Sequence, residues 1–277
     1  MTRDRRASLL NALGRLVEVS EAAEVVVVDN GSRDGTPGAV RRAFPRMRVV
    51  ERPSAPGATG RNAGVEALDS EVVAFADDDS WWAPGALAQV ADAFGHRRLG
   101  LLAARILVGD EGWLDPTCRA MRESPLGLSG AVGRPRVLGF VACGAAVRRR
   151  AFLHAGGFHP LLQVGGEEEL LAMDLAAAGW ELCYFDEIVA HHHPDGGQPR
   201  DGRRAGQLRN ALWVAMMRRP WSRVGRGAIE LAARATREEP ARRALAQTLA
   251  ALPPVLRDRR RLPLRIERDL RRLEEAV

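Results

Sequence analysis

VVAFADDDSWWAPGAL, residues 72–87, sets a short apolar run against three consecutive aspartates and two tryptophans. Val72 to Ala76 carries no polar side chain, the pattern of a strand buried on both faces. It runs into Asp77-Asp78-Asp79. In an extended chain Asp77 and Asp79 share one side. Like charges this close need a cation or hydrogen-bond donors. Mg²⁺ and Mn²⁺ take oxygen ligands and bridge carboxylates to phosphates. The triplet also reads as a solvated acidic loop, or as a helix N-cap before Pro84. The strand before it and Trp81-Trp82 after it favour a site.

A second run of the same kind lies upstream: Val25–Val28 leads into Asp29-Asn30-Gly31-Ser32. Helical spacing is expected over 7–19, from 35 to 43, to about Leu68, over 84–94 and over 167–178. Further strands are expected over 47–51, 99–108, 137–147 and 181–193. Strands alternating with helices predict an α/β fold with a largely parallel sheet, whose ligands sit beyond the carboxyl ends of the strands. Two apolar strands thus deliver carboxylates to one edge.

Composition narrows the chemistry. The chain has 277 residues and 41 basic side chains, none of them lysine. A phosphate-binding P-loop, a pyridoxal Schiff base and the usual sugar nucleotidyltransferase site each need a lysine, so all three are excluded in their ordinary form. The many Ala, Arg and Gly suggest codon bias in a GC-rich genome as the cause, and the exclusions hold either way. Residues 1–199 hold 21 Arg against 26 acidic residues, a net of −5; residues 200–277 hold 20 Arg against 9, a net of +11. A division at 199/200 is expected, with an acidic catalytic body and a basic helical extension. Cys118, Cys143 and Cys183 lack metal spacing and read as buried apolar residues. No run reaches a membrane span, and no apolar stretch follows the charged Met1–Arg6, so a cytoplasmic location is expected.

Four segments together carry a resemblance: VVVVDNGSRDGT (25–36), GATGRNAGV (57–65), FADDDSWWAPGAL (75–87) and GGEEELLAMDLAAAGW (165–180). In order and spacing they resemble a family 2 glycosyltransferase with the GT-A fold, the nucleotide-diphospho-sugar transferase architecture. The resemblance implies that Asp29 binds the nucleotide base, with Asn30, Gly31 and Ser32 shaping its loop. Arg61 and Asn62 would lie over the nucleotide. Asp77 would sit near the ribose with Asp78 beside it, and Asp79 on Mg²⁺ or Mn²⁺. It implies that Glu168, or Glu167 in the alternative register, is the base that activates the acceptor hydroxyl. His191 would complete the metal site, with His193 second. Glu at 168, Leu170 and Asp174 depart from the family's common Asp, acidic residue and arginine. Gly156-Gly157-Phe158 is similar to the turn beneath the acceptor, and Trp81, Trp82 and Trp113 are candidate sugar platforms.

The family begins with a buried strand of about five apolar residues followed by Thr-x-Asn/Asp-Arg. Here the match starts at Thr2-Arg3-Asp4-Arg5, placing Thr2 and Asp4 with the donor-binding residues. The expectation is that the strand belongs to a longer form.

The extension has helical spacing over 205–217, 226–236, 241–252 and 262–277, with Pro253-Pro254 breaking the run. Its arginine faces suit an anionic membrane surface, or packing on the body with the arginines in solvent. No nucleic-acid motif with interleaved aromatics appears. The function implied is inverting, metal-dependent transfer from a UDP, dTDP or GDP sugar to a hydroxyl of a glycan or polyprenyl-linked acceptor, in cell-envelope polysaccharide synthesis. The competing reading is a catalytically impaired scaffold in such a complex.

Overall fold

The strands in chain order are β1 (Val26–Asp29), β2 (Arg48–Glu51), β3 (Val72–Ala74), β4 (Ser80–Trp82), β5 (Leu99–Val108), β6 (Trp113–Leu114), β7 (Ala145–Arg148) and β8 (Glu181–His192). The helices of the body are α1 (Arg6–Val19), α2 (Thr36–Ala43), α3 (Gly60–Ala67), α4 (Ala86–Ala93), α5 (Pro116–Arg122), α6 (Arg149–Ala155) and α7 (Glu167–Ala177). They are followed by α8 (Arg200–Arg218), α9 (Trp221–Ala235), α10 (Glu239–Ala250), α11 (Leu252–Arg257) and α12 (Leu264–Glu275). This computed structural model describes residues 1–19, 23–52, 57–194 and 200–276. The junction expected at 199/200 adjoins residues 195–199, and the expected helical position of Val277 is at the C-terminus; both lie outside the described residues.

The main sheet has the order β3-β7-β5-β8-β4, with β6 on the end of β5. It is mixed rather than largely parallel. β5 and β8 pair in parallel, whereas β3–β7, β5–β7 and β4–β8 are antiparallel. β1 and β2 form a separate parallel pair. Thr2 extends that pair, donating its N–H to Val28 O and accepting from Asn30 N–H, both at 2.9 Å. An apolar cleft of about 350 Å³, lined by Leu13, Val28, Val73 and Phe75 among others, lies between β1 and β3.

The sheet is buried on both faces. Along β5, Leu101, Ala103 and Ile106 join one apolar cluster, while Leu99, Leu102 and Ala104 join another with α1 and α4. That two-sided burial is why β5 reads as an unbroken apolar run. The first cluster also takes Leu170 and Met173 of α7 and Trp213, Met217, Val224, Leu231, Ile266 and Leu270 of the C-terminal helices. These helices therefore spend their apolar faces on the body and turn many arginines outward.

Local departures have simple causes. The strand expected over 137–147 is extended only at 145–148, because 142–144 form a tight 3₁₀ turn. There a Cβ on Gly144 would stand 2.5 Å from Ile106 Cγ1. Pro253-Pro254 opens α11, since proline is tolerated in a first helical turn. The three cysteines are buried and free, as their spacing suggested.

Arg148 is a buried cation in β7. Its Nε donates to Leu99 O at 3.0 Å and its Nη2 to Phe94 O at 2.7 Å and His96 O at 3.2 Å, while Nη1 meets Glu71. Arg148→Met leaves three carbonyls unanswered beneath the sheet. Urea unfolding should register a loss of ~3 kcal/mol.

Candidate active site

The carboxyl ends of β1 and β3 open onto one edge. After β1, Asp29 turns its Oδ2 back to the N–H groups of Gly31 (3.1 Å) and Ser32 (2.9 Å). Its Oδ1 is buried without a partner. Asn30 donates its amide to Gly57 O at 3.1 Å, which ties the glycine-rich turn to β1. Ser32 Oγ accepts from Asp4 N–H at 2.8 Å, and Asp4 Oδ1 accepts from Arg33 N–H at 2.6 Å. Asp4 thus braces the Asp29 loop with a carboxylate already spent on backbone.

The aspartate triplet is held by three different sets of donors. Asp77 pairs with Arg61 at 2.5 Å, and that guanidinium also lies 5.5 Å from the Phe158 ring centre. Asp78 accepts from Thr2 Oγ1 at 2.8 Å and pairs with Arg5 Nη1 at 3.1 Å. Asp79 takes Arg5 Nη2 at 3.0 Å and His192 Nε2 at 3.5 Å. Burial raises the Asp78 carboxyl; that of Asp79 is lowered, because hydrogen bonding and charge from His192 and Arg5 outweigh its burial. The same hydrogen bond raises the His192 imidazole.

The histidine that faces Asp79 is His192, not His191. β4 and β8 pair with Trp81 opposite His191 and Ser80 opposite His192. Alternation then puts His191 and His193 on Trp81, with ring centres 5.6 and 4.5 Å away, and turns His192 to the aspartates. The same pairing buries the adjacent tryptophans. Trp82 is 1% exposed and donates its indole N–H to Phe75 O at 3.0 Å; Trp81 is 7% exposed and also lies under Arg15. Neither offers a ring face to a sugar. Trp113, 72% exposed on β6, does; β6 pairs with β5 beside the end of β8.

Asn62 donates to Phe158 O and accepts from Phe158 N–H, both at 2.9 Å, which fixes the Gly157-Phe158 turn. At the start of α7, Glu167 is buried with Oε2 unpartnered. Glu168 Oε1 accepts the Ala142 N–H at 2.6 Å. Burial, reinforced by the charge of Glu167, pushes the Glu168 carboxyl up to about 7. Unpartnered buried polar atoms here are Asp29 Oδ1, Asn30 Oδ1, Arg61 Nε and Glu167 Oε2. Such atoms are costly unless a ligand meets them.

Arg5 is the functional-site residue that pattern reading left unassigned. It closes the Thr2-Arg3-Asp4-Arg5 stretch. Its pairing with Asp78 and Asp79 depends on α1 beginning directly beneath the triplet.

Residues 1–156 match the family model described as glycosyl transferase family 2. The chain is 29% identical over 212 residues to the N-acetylglucosaminyl-diphospho-decaprenol L-rhamnosyltransferase of Mycobacterium tuberculosis, covering 64% of this chain and 68% of that one. It is 32% identical over 195 residues to the pre-mycofactocin glycosyltransferase of the same organism, covering 66% of this chain and 40% of the relative. The solved mannosyltransferase PcManGT from Pyrobaculum calidifontis, in complex with GDP-Man and Mn²⁺, superposes with a TM-score of 0.59 at 23% identity, over 92% of this chain and 79% of that one. S. aureus TarS with UDP-GlcNAc gives 0.59 at 15% identity, over 90% and 69%. Their shared architecture is the GT-A fold. The family match spans more than half of the sequence and includes both strands that carry carboxylates to the edge; the chain belongs to glycosyl transferase family 2 and is a glycosyltransferase.

Proposed function

We propose that the protein transfers a sugar from a nucleotide-sugar donor to a hydroxyl of a lipid-linked or glycan acceptor, with inversion and with Glu168 as the base. The observation that carries this is Glu168 itself: a half-buried carboxylate, held by the Ala142 N–H and raised to about 7, at the edge where the unpartnered atoms of Asp29, Asn30 and Arg61 collect. Its Oε1 is fixed by Ala142 N–H, which leaves Oε2 for the acceptor proton. The acceptor oxygen bonds to the anomeric carbon as its proton passes to Glu168, and the bond to the nucleoside diphosphate breaks. One displacement inverts the centre. Asp29 Oδ1 is an acceptor suited to a base N–H, and Arg61 is a cation suited to the diphosphate. Trp113 is the exposed ring for a sugar of the acceptor. The diphospho-decaprenol in the rhamnosyltransferase relative's name supports a polyprenyl-linked acceptor. GDP-Man and UDP-GlcNAc in the solved neighbours support a nucleotide-sugar donor.

Asp79 and His192 are the residues suited to hold a divalent cation. A carboxylate oxygen and an imidazole nitrogen converge there, and Mn²⁺ accepts both. Among the described residues no three His, Cys, Asp or Glu side chains form a complete cage, so diphosphate oxygens are needed as further ligands. When bound, the cation neutralises charge on the departing diphosphate. Arg5, now on Asp79 Oδ2, must share that oxygen or release it.

The C-terminal helices support contact with an anionic lipid surface through their outward arginines. Ile229 and Leu264 are also exposed on them. Among the described residues no helix is long and apolar enough to cross a membrane.

Glu168 must be ionised to accept a proton, so kcat should rise with pH and level off above about 7. Glu168→Gln should lower kcat by about 10²–10⁴. A carboxyl raised on folding lends stability that is complete below its ordinary 4.5 and lost as pH climbs through about 7. Thermal melts should therefore show Glu168→Gln more stable than wild type at pH 8, with that gain gone at pH 4. In calorimetry with UDP present, His192→Ala should weaken Mn²⁺ binding about ten-fold or more, and His191→Ala by far less. The full chain should sediment with phosphatidylglycerol vesicles at low salt and be released at about 0.5 M NaCl, since exposed charges are then screened.

A further inference from the structure

The turn that launches α7 is held by a residue of the C-terminal extension. Gly165 and Gly166 both adopt φ +85°, a left-handed conformation that glycine takes without strain. Gly166 is the N-cap of α7 and supplies no side-chain cap, so Glu167 and Glu168 follow directly on two glycines that no side chain of their own holds in place. α8 lies against it. A Cβ on Gly165 would stand 3.0 Å from Gln207 Cγ, and one on Gly166 would stand 3.3 Å from Val214 Cγ2 and 3.4 Å from Asn210 Cβ.

Asn210 makes the polar contact. It is fully buried, at 0% exposure. Its Nδ2 donates to Val164 O at 3.1 Å and to Gly165 O at 2.6 Å, and its Oδ1 accepts from Arg209 Nε at 3.0 Å. One amide therefore holds consecutive carbonyls immediately ahead of the acidic residues. Two further contacts hold the rest of α7 to the same extension. Arg218 grips Asp174 through Nε at 2.5 Å and Nη2 at 2.8 Å. Arg265 Nη2 reaches Ala176 O at 3.2 Å at the helix C-terminus. The helix is thus fastened at its start, middle and end by residues outside the main sheet.

We propose that Asn210 is a positioning residue for sugar transfer: it locks the Gly165-Gly166 turn so that the Glu168 carboxylate is aimed at the acceptor hydroxyl. This rests on the reading of Glu168 as the base. It assigns the extension a part in catalysis that its charge did not suggest. Misplacing a reacting group by about 1 Å costs on the order of 10² in rate. Donor binding is expected to be spared, since the donor contacts proposed above come from β1, α3 and the aspartate triplet.

The test uses the full chain and Asn210→Asp, which keeps the shape but turns a second oxygen toward the two carbonyls. Hydrogen exchange of the 165–168 amides should accelerate about ten-fold or more. kcat should fall about ten- to a hundred-fold, and the acid limb of its pH profile should move below the wild-type position as Glu168 is exposed. Thermal stabilisation by UDP, dTDP and GDP, each with Mn²⁺, should match wild type. Unchanged exchange with an unchanged acid limb overturns the proposal, as does loss of nucleotide stabilisation in step with kcat. Should Asn210→Asp not fold, Asn210→Ser leaves one donor for two carbonyls and is judged by the same outcomes. Glu168→Gln run in parallel separates the two ideas. If it is inactive while Asn210→Asp is normal, only the positioning role fails; if it transfers at the wild-type rate, the base reading fails and the positioning role with it.

Discussion

Three neighbouring carboxylates at the end of a buried strand repel one another, and the site is organised by how that repulsion is met. No single cation answers all three. Arg61 comes from α3 to Asp77, Arg5 comes from the foot of α1 to Asp78 and Asp79, and His192 comes from the end of β8 to Asp79. The triplet therefore ties together parts of the chain that are far apart in sequence. Partly desolvated pairs of this kind add little net stability, because the desolvation cost offsets the attraction. Their consequence here is geometric: they set which way each carboxylate points.

Glu168 is treated in the opposite way. Arg61 is the nearby cation acting on it, and burial dominates. One edge of the sheet thus holds carboxylates driven in two directions, Asp79 kept ionised by its donors and Glu168 raised by its surroundings. Environments that separate similar groups in this way are how a site assigns a charge-holding role and a proton-accepting role to the same chemistry. The separation needs α7 to be held firmly, and the C-terminal helices supply that hold through Asn210, Arg218 and Arg265. The strong positive charge of the extension is therefore partly internal to the fold.

Much of this was legible in sequence because it is local. Val26–Val28 before Asp29 and Val72–Ala74 before Asp77 announce buried strands by composition, and the acidic start of α7 follows from its glycines and helical spacing. What was not legible depends on pairing between distant segments. Strand alternation put His191 and His193 on one face and His192 on the other, but only the β4–β8 register decides which face meets Asp79. That register also buries Trp81 and Trp82, which as letters looked like a sugar platform. The sheet proved mixed because β4 and β7 enter antiparallel, and short strands carry no mark of direction. Asn210 is a single amide whose carbonyl partners lie far back along the chain, and no motif marks it; Asn62 stands in the glycine-rich segment, but its letters do not show that its amide meets the backbone of Phe158.

A single displacement with Glu168 as base passes through no covalent sugar–enzyme intermediate. The anomeric configuration of the first-formed product, read by proton NMR coupling during turnover of a nucleotide sugar of known configuration, tests it most directly. Direct displacement gives the configuration opposite to that of the donor. A product with the donor's configuration retained would contradict it.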